Sequence, residues 1–222
     1  DTFGGEGVKD PLIHEKDTPS AEKKWRNRYQ PSPSFLSIHL GVRSESIPPG
    51  AHCHHLILNN WEEMEGEQSV VFISIPTLLD PSLAPPGNHI IHAFTPSSIE
   101  HWKRLTPSEY STKKQVDSDE LIKKISQIFP QINANITHRE VGTPKSHRRF
   151  LGRHNGSYGP IPAIPLPGLL TMPFNTTAIK QLYCVGDSCF PGQGLNAVAF
   201  SGFACAHKIG SKLGINPWKL PS

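Results

Sequence analysis

The chain has 222 residues, of which 36% are hydrophobic, 18% are charged, 22 are Pro and 18 are Gly. The Pro and Gly content lies just below the level typical of low-complexity chains, so the composition allows a packed core with many loops. The 22 basic and 19 acidic residues are interspersed and leave a formal net charge of +3. Proteins that bind nucleic acid usually concentrate basic charge on one face, so this balance argues against that class.

The apolar stretches are too short for a transmembrane helix. Val70–Ile75 and Leu195–Ala206 are the longest, whereas a span needs about 18 to 20 apolar residues. No signal peptide or Arg-rich transit segment is visible.

The cysteines are Cys53, Cys184, Cys189 and Cys205. They form no CxxC pair, which favours free thiols in a reducing compartment.

The first half of the chain is predicted to be rich in strands. A polar arm with Gly and Pro breakers covers 1–30 and contains at most a short helix around Ser20–Arg28. Extended runs then follow between Pro/Gly turns, at Phe35–Val42, Cys53–Leu58, Val70–Pro76 and His89–Phe94. Because no helix separates these strands, antiparallel neighbours are favoured. Val70–Pro76 is apolar on both faces and is expected to be central.

Two helices are predicted from their capping residues. Ser97 and Glu100 form a capping-box pattern for a short helix. Thr106, Pro107 and Glu109 repeat the pattern for a longer helix. The apolar face of the longer helix consists of Leu121, Ile122, Ile125, Ile128 and Phe129.

The last third alternates irregular and regular segments. Ile132–Val141 is predicted to be a strand, and the prolines of Gly152–Pro173 predict a crossover without regular structure. Leu182–Val185 has a short buried-strand pattern. A glycine-rich turn, Pro191–Gly194, then leads into a helix predicted over Leu195–Leu213.

The predicted turn before this helix has the chemistry of a phosphate site. A helix amino terminus presents unpaired N–H groups and the positive end of its dipole. Gly192 and Gly194 would let the backbone approach a ligand without a Cβ in the way. Asp187 follows the predicted strand, where a carboxylate can accept hydrogen bonds from sugar or ribityl hydroxyls.

A purely structural role also stays open for the same residues. Gly192-x-Gly194-x-x-Ala197 matches a relaxed dinucleotide fingerprint, but the fingerprint needs an acidic residue about 20 positions further on. No Asp or Glu follows Ala197. The glycines could therefore only make a tight strand-to-helix turn.

Longer motifs resemble one family. Leu182–Gly202 (LYCVGDSCFPGQGLNAVAFSG) is similar to the carboxyl-terminal flavin-contacting motif of the carotenoid isomerases, which are related to the phytoene desaturases. Further motifs that resemble this family are Pro33–Val42, His54-His55, Phe72–Leu79, Asp80–Pro85, Val141–Phe150, Ser157–Pro160 and Gly168–Ile179. The resemblance runs from the first residues to about Leu213.

The resemblance implies a flavoprotein that binds FAD and a long polyene. It would convert the cis double bonds of poly-cis lycopene to trans with no net redox change. Gly186 and Asp187 would approach the ribityl and pyrophosphate region of the flavin. The flavin ring would lie near Pro191, Gly192, Gln193 and Gly194, and Ala197 completes the cofactor-binding set. Asn196 departs from the branched apolar residue of the family, and no catalytic residue is assigned.

The family's amino-terminal G-x-G-x-x-G unit, which binds the ADP half of FAD, has no match here. Gly5-Glu6-Gly7 is the only early candidate, and its third position is Asp10. We therefore expect the carboxyl-terminal portion of such an enzyme, incomplete and inactive alone, which binds FAD only when the missing half is supplied. The alternative is a truncated, non-catalytic paralogue that serves as an accessory subunit of a photosynthetic complex in the plastid.

The resemblance also implies an α/β fold. It combines a mixed β-sheet substrate domain, flanked by helices, with the closing strand–turn–helix of an FAD-binding Rossmann-type domain. The expected segments are an arm at 1–30, a substrate domain at 31–151, a crossover at 152–181, the strand–turn–helix at 182–214 and a tail at 215–222. A carotenoid, or a protein partner that covers the apolar surface left by the missing half, is the expected partner. The expected location is the chloroplast, in the stroma or at the thylakoid surface.

Three local features admit competing interpretations. His52, Cys53, His54 and His55 suggest zinc, but alternation along a strand places them on opposite faces, so no metal site is predicted. Asp187, Ser188 and His207 form no triad, because two of them are sequence neighbours.

A basic cluster consists of Lys145, His147, Arg148, Arg149, Arg153 and His154. It could meet lipid headgroups or an acidic partner, although a solvated loop is the favoured interpretation.

Overall fold

The computed structural model describes residues 12–64, 66–162 and 172–215. The helices are α1 (Ser20–Arg26), α2 (Glu100–Lys103), α3 (Pro107–Ser126), α4 (Pro144–Leu151) and α5 (Leu195–Lys212). The strands are β1 (Tyr29–Pro31), β2 (Ser34–Arg43), β3 (His54–Leu58), β4 (Val70–Ser74), β5 (Asn88–Ser97), β6 (Ile136–Gly142) and β7 (Pro160–Pro162). The expectations for Gly5-Glu6-Gly7, for 163–171 within the crossover and for nearly all of the tail lie outside the described residues.

The chain divides into two compact units. Residues 33–156 form the first, which we call the sheet unit. Residues 1–32 and 157–222 form the second, which we call the terminal unit. The segment boundaries expected from the sequence remain predictions.

The sheet unit contains a five-stranded sheet in the order β3-β4-β5-β2-β6. β5 and β6 are both antiparallel to β2, so they run in the same direction on either side of it. The predicted α/β class is confirmed, with one difference. We expect a mixed sheet, but every pairing described is antiparallel. The helical connection from β5 to β6 crosses β2 instead of joining adjacent parallel strands, so no parallel pair arises.

Alternation along β2 builds the core. Leu36, Ile38, Leu40 and Val42 are at most 1% exposed and lie on one face. Ile73 of β4 and the α3 side chains pack against them in the same cluster. Each fully buried aliphatic side chain contributes about 1.5–3 kcal/mol relative to an exposed one. The predicted apolar face is confirmed within α3, because Leu121, Ile122 and Ile125 are buried; Ile128 and Phe129 also pack in the core but lie beyond the end of the helix at Ser126.

The capping predictions have different outcomes. The Thr106 capping box is present, since Glu109 N–H donates to Thr106 Oγ1 at 3.3 Å and the Thr106 N–H donates to Glu109 Oε2 at 2.8 Å. The Ser97 prediction is wrong, because Ser97 ends β5 and its hydroxyl accepts from Trp102 Nε1 at 3.0 Å. Ser98 Oγ accepts from the Glu100 N–H instead. The side chain of Ser97 is therefore already occupied in the core.

A helix occupies the basic segment that the sequence analysis interprets as a solvated loop. α4 follows a second capping box, in which Thr143 and Ser146 bond each other's N–H groups. Thr143 is fully buried, and its hydroxyl lies 2.9 Å from the Tyr110 hydroxyl of α3. α4 is therefore fixed at its amino end.

Two predictions for the terminal unit are wrong. Leu182–Val185 is not a strand: only an isolated bridge joins Thr176 and Tyr183 there. An extended segment becomes a strand only beside a partner that pairs with its N–H and C=O groups along its length. Asn175–Thr176 is too short to supply enough backbone partners for Leu182–Val185. Conversely, the proline-rich stretch contains β7, which pairs with β1 in antiparallel fashion. The helices predicted around Ser20–Arg28 and Leu195–Leu213 are confirmed as α1 and α5.

The burial of Thr143 predicts a larger cost for its loss than for the loss of the exposed cap Thr106. Thr143→Ala removes the partner of the Tyr110 hydroxyl and of the Ser146 N–H, so we expect the free energy of unfolding to fall by about 2 kcal/mol. Thr106→Ala should lower it by about 1 kcal/mol. Urea unfolding of both variants measures the difference, and equal losses would contradict the assigned contacts.

Candidate functional site

The glycines before α5 have backbone conformations that favour glycine. Gly186, Gly192 and Gly194 have φ angles of 113°, 120° and 99°, where L side chains are strained. A Cβ added at Gly186 or Gly194 would meet no atom within 4 Å. These glycines are therefore needed for their backbone conformation, and the space beside two of them is open.

The amino terminus of α5 is accessible to a ligand. Gly194 is its N-cap and supplies no capping side chain, and no acidic residue lies in the first turn. Leu195 is 85% exposed, Asn196 is exposed and Ala197 is half-buried. The positive end of the helix dipole thus faces an open surface without a neutralising carboxylate on the helix.

A buried amide and hydroxyl hold the turn against α5. The Asn175 Nδ2 donates to the Cys184 carbonyl oxygen at 2.9 Å and to the Ser201 hydroxyl at 3.1 Å. The Asn175 carbonyl oxygen accepts from the Cys184 N–H at 2.9 Å. Ser201 Oγ also accepts from the Gly186 N–H at 3.3 Å. The backbone at 184–186 is thereby fixed to the middle of the helix.

A second contact supports the turn from the other side. Gln193 Nε2 donates to the Tyr158 carbonyl oxygen. A Cβ added at Gly159, where φ is 93°, would approach the Asp187 carbonyl oxygen to 3.0 Å, so only glycine allows this approach. Asp187 is half-buried, and its Oδ1 accepts from Ser188 Oγ at 3.3 Å. The structure therefore brings Asp187 and Gln193 to the same loop as Tyr158 and Gly159.

Sequence reasoning does not identify the residues that hold the turn. Asn175, Ser201, Tyr158 and Gly159 are not among the predicted site residues, although all four fall within family motifs quoted above, namely Gly168–Ile179, Leu182–Gly202 and Ser157–Pro160. Those motifs are the signal that could have found them. Their contacts depend on tertiary structure, which the spacing along the chain does not show.

The cysteines lie among the described residues and none is in a disulfide. Cys189 and Cys205 are buried near the turn. Burial is the main cause that raises the pKa of the Cys189 thiol to about 11, and neighbouring Cys184, Cys205 and Asp187 raise it further. Cys189 is therefore a packing group and not an activated nucleophile at neutral pH.

The histidine-rich segment has structural contacts. His54 Nδ1 lies 2.9 Å from Ser74 Oγ, and Cys53 Sγ donates to the Ile75 carbonyl oxygen at 3.4 Å. The His55 ring meets the edge of Phe129, with centroids 5.1 Å apart. Across residues 12–64, 66–162 and 172–215, no group of three or more His, Cys, Asp or Glu side chains is arranged to hold a metal ion.

The sheet unit carries an aromatic stripe on the face opposite its core. Leu56, Phe72 and Phe94 lie in register on three neighbouring strands. Phe72 stacks on Phe94 at 5.0 Å between centroids, and Phe35 meets Phe94 edge-on at 5.1 Å. Leu56 is 52% exposed and Phe72 is 43% exposed. The stripe is therefore a partly open, apolar surface that crosses the strands.

A polar row lies beside the stripe on the same face, two residues away from it on each strand. Its members follow the strand register in the order His54, Ser74, His92, His39 and Glu140. The His39 and His92 rings stack with centroids 4.3 Å apart. Burial lowers the pKa of His92 below its usual value of 6.5, and a positive charge on His39 would lower it further.

The comparison with known proteins first defines a class. No family model matches the chain. The lycopene-forming phytoene desaturase of a Paracoccus species is 25% identical over 204 residues, which is 86% of this chain and 38% of that protein. The chain is thus similar, at a low level, to a carotenoid desaturase.

More similar proteins narrow the class. The chain is 53% identical over 97% of its length to chloroplastic prolycopene isomerase 1 of an Oncidium hybrid cultivar, and 50% identical over 97% to chloroplastic prolycopene isomerase of Arabidopsis thaliana. The resemblance to the carotenoid isomerases is therefore confirmed. The chain spans only about 36% of the length of these two relatives, which is consistent with a carboxyl-terminal portion.

The glycine conformations predict opposite effects for two alanine substitutions on either side of the start of α5. Gly194→Ala forces a side chain into a positive-φ conformation, so the free energy of unfolding should fall by about 1–2 kcal/mol. Gly202→Ala adds a Cβ within the helix that meets nothing within 4 Å, so it should raise stability by about 0.5–1 kcal/mol. Urea midpoints at constant slope measure both. Changes of the same sign would contradict the described backbone.

The His39–His92 pair predicts a loss of stability on acidification. Since the pKa of His92 is lowered in the folded chain, the unfolded chain binds more protons, and stability that is complete above pH 6.5 is lost as the pH falls below it. We expect His92→Gln to make the free energy of unfolding less dependent on pH between about 7.5 and 5.5. Ser74→Ala is the control, because it alters the same row without removing a titratable group. An unchanged pH dependence in His92→Gln would contradict the prediction.

Proposed function

We propose that the chain supplies the cofactor-closing and substrate-binding part of a plastid flavoprotein that converts the cis double bonds of poly-cis lycopene to trans. The observation that carries the proposal is the identity of 50–53% to prolycopene isomerases over 97% of the chain. Similarity at this level extends through both the sheet unit and the terminal unit, so it is not limited to one motif.

The residues of the glycine turn fit FAD. The open space beside Gly186 and Gly194, the uncapped start of α5 and the adjacent Asp187 carboxylate together suit a ligand that carries phosphates and hydroxyls. In the proposal, Gly186 and Asp187 approach the ribityl and pyrophosphate region. Pro191, Gly192, Gln193 and Gly194 line the flavin near its ring, and Ala197 lies in the first turn of the helix below it.

FAD, when bound, would supply an electron-rich ring for a reaction without net redox change. The contribution of the protein's own residues is to hold the cofactor-binding turn in place. Asn175 and Ser201 hold the turn in one conformation before the cofactor arrives, which lowers the entropy cost of binding. The chain would need the dinucleotide-binding part of the protein to bind the adenine end of FAD.

The aromatic stripe is the proposed contact for the polyene. Phe35, Phe72 and Phe94 form a continuous apolar surface across neighbouring strands. A long conjugated hydrocarbon can lie on such a surface with only dispersion and hydrophobic contacts. The exposed apolar residues of α5, including Leu195, Phe200 and Phe203, are consistent with a face that the rest of the protein covers.

A segment exchange tests the proposal. In the Arabidopsis thaliana prolycopene isomerase, the segment that aligns with this chain is replaced by this chain, and the product is expressed in bacteria that accumulate poly-cis lycopene. We expect a yellow protein with flavin absorbance, and chromatography should show conversion to all-trans lycopene. A folded chimera that holds flavin but leaves the poly-cis pigment unchanged would contradict the proposed activity.

Variants of the chimera separate the two sites. Gly194→Val should lower the flavin content, whereas Phe72→Ala with Phe94→Ala should keep the flavin and reduce conversion at least tenfold. Leu79→Ala, which removes a side chain that is 76% exposed in the same unit, is the matched control and should change neither. If the control and the double variant lose conversion equally, the stripe is not the substrate surface.

A further inference from the structure

The last turn of α4 projects into solvent with an unusual composition. Arg148 and Arg149 are exposed, and the apolar residues beside them, Phe150 and Leu151, are 76% and 57% exposed. Gly152, with a φ angle of 63°, ends the helix immediately afterwards. We call residues 148–151 the basic tip.

The basic tip is held by a fixed base. Lys145 lies over the Tyr110 ring at 5.2 Å, at the end of α4 that the Thr143 cap secures. His147 is hydrogen-bonded to the backbone of Phe35. Beyond the tip, Ser34 Oγ donates to the Gly156 carbonyl oxygen at 2.6 Å. Contacts on both sides therefore fix the tip, and its exposure does not result from fraying.

The segment that contains the tip carries charge of one sign. No Asp or Glu occurs between Glu140 and Asp187, whereas Lys145, Arg148, Arg149 and Arg153 all fall in the first part of that stretch. No ion pair formed among the described residues includes Arg148 or Arg149. The tip thus presents guanidinium groups that are available to pair with anions from outside the described part of the chain.

Guanidinium groups bind phosphate oxygens in bidentate fashion. Arg149 lies over the Phe150 ring at 5.3 Å, so a cation and an apolar side chain project from the same place. Basic side chains next to exposed Phe and Leu are typical of segments that rest at a membrane interface, where the cations meet headgroups and the apolar groups enter the acyl boundary.

We propose that the basic tip is a contact site for an anionic lipid surface. Its size favours a bilayer over an acidic protein, because one helical turn is far smaller than the roughly 800 Å² per partner of a stable protein interface. Projecting apolar side chains suit insertion into a soft surface. No helix in the described part of the chain is long and apolar enough to cross a membrane.

Vesicle flotation of the 222-residue chain tests this inference. At low salt the chain should float with phosphatidylcholine vesicles that contain phosphatidylglycerol, and not with pure phosphatidylcholine vesicles. High salt should release it, because salt screens the cations. Arg148→Gln with Arg149→Gln should lower the partition coefficient about 25-fold, at about fivefold per charge. Phe150→Ser with Leu151→Ser should lower it about tenfold at unchanged charge.

The controls distinguish the tip from general basicity. Arg104→Gln with Lys123→Gln removes two exposed cations elsewhere in the sheet unit and should leave binding nearly unchanged. Circular dichroism verifies that each variant is folded. Absence of flotation, or an equal loss in the control, would overturn the proposal. Capture of the chain by a poly-glutamate peptide without vesicle binding would instead indicate an acidic protein partner. The assay contains neither flavin nor carotenoid, so its outcome is independent of the proposed activity.

Discussion

The hydrogen bonds of one buried side-chain amide determine the shape of the candidate cofactor site. Asn175 is 9% exposed and Ser201 is fully buried, so neither side chain can exchange its partner for water. Together they bind the backbone at Cys184 and Gly186. Because an unsatisfied buried polar group costs about 1–3 kcal/mol, the turn cannot leave this arrangement without losing much of a typical domain's stability. The open glycine surface beside α5 depends on that constraint.

Much of the sheet unit could be predicted from local pattern. The strict alternation of Phe35–Val42 and the Thr106 capping box are local signals, and both reappear in the structure as β2 and α3. α4 begins with a Thr-Pro pattern like that of α3, but Ser146 stands where α3 has Glu109 and a basic surface follows instead of an apolar face, so its local signal is weaker. Leu182–Val185 shows the reverse case, since an apolar run without a neighbouring strand cannot pair its backbone.

The sequence predicts candidate site residues but not their arrangement. Gly192 and Gly194 are expected from the need for close backbone approach before a helix, and Gly186 from the resemblance to the carotenoid isomerases. The support from Tyr158, Asn175 and Ser201 could not be predicted, since each reaches the turn across 9 to 35 residues of sequence. The polar row on the sheet likewise depends on strand register, which no local pattern fixes.

The position of β2 has a consequence for how the chain acquires its fold. β2 precedes both of its neighbours by a long stretch of chain: Ile38 pairs with Ala93 on one side and with Val141 on the other. During synthesis, its apolar residues and both rows of its backbone groups therefore wait until β5 and then β6 leave the ribosome. Closing such distant pairs is slow. Until then, the incomplete chain exposes an unpaired, apolar strand edge that can aggregate. A chaperone that binds unfolded chains would be most useful at that stage.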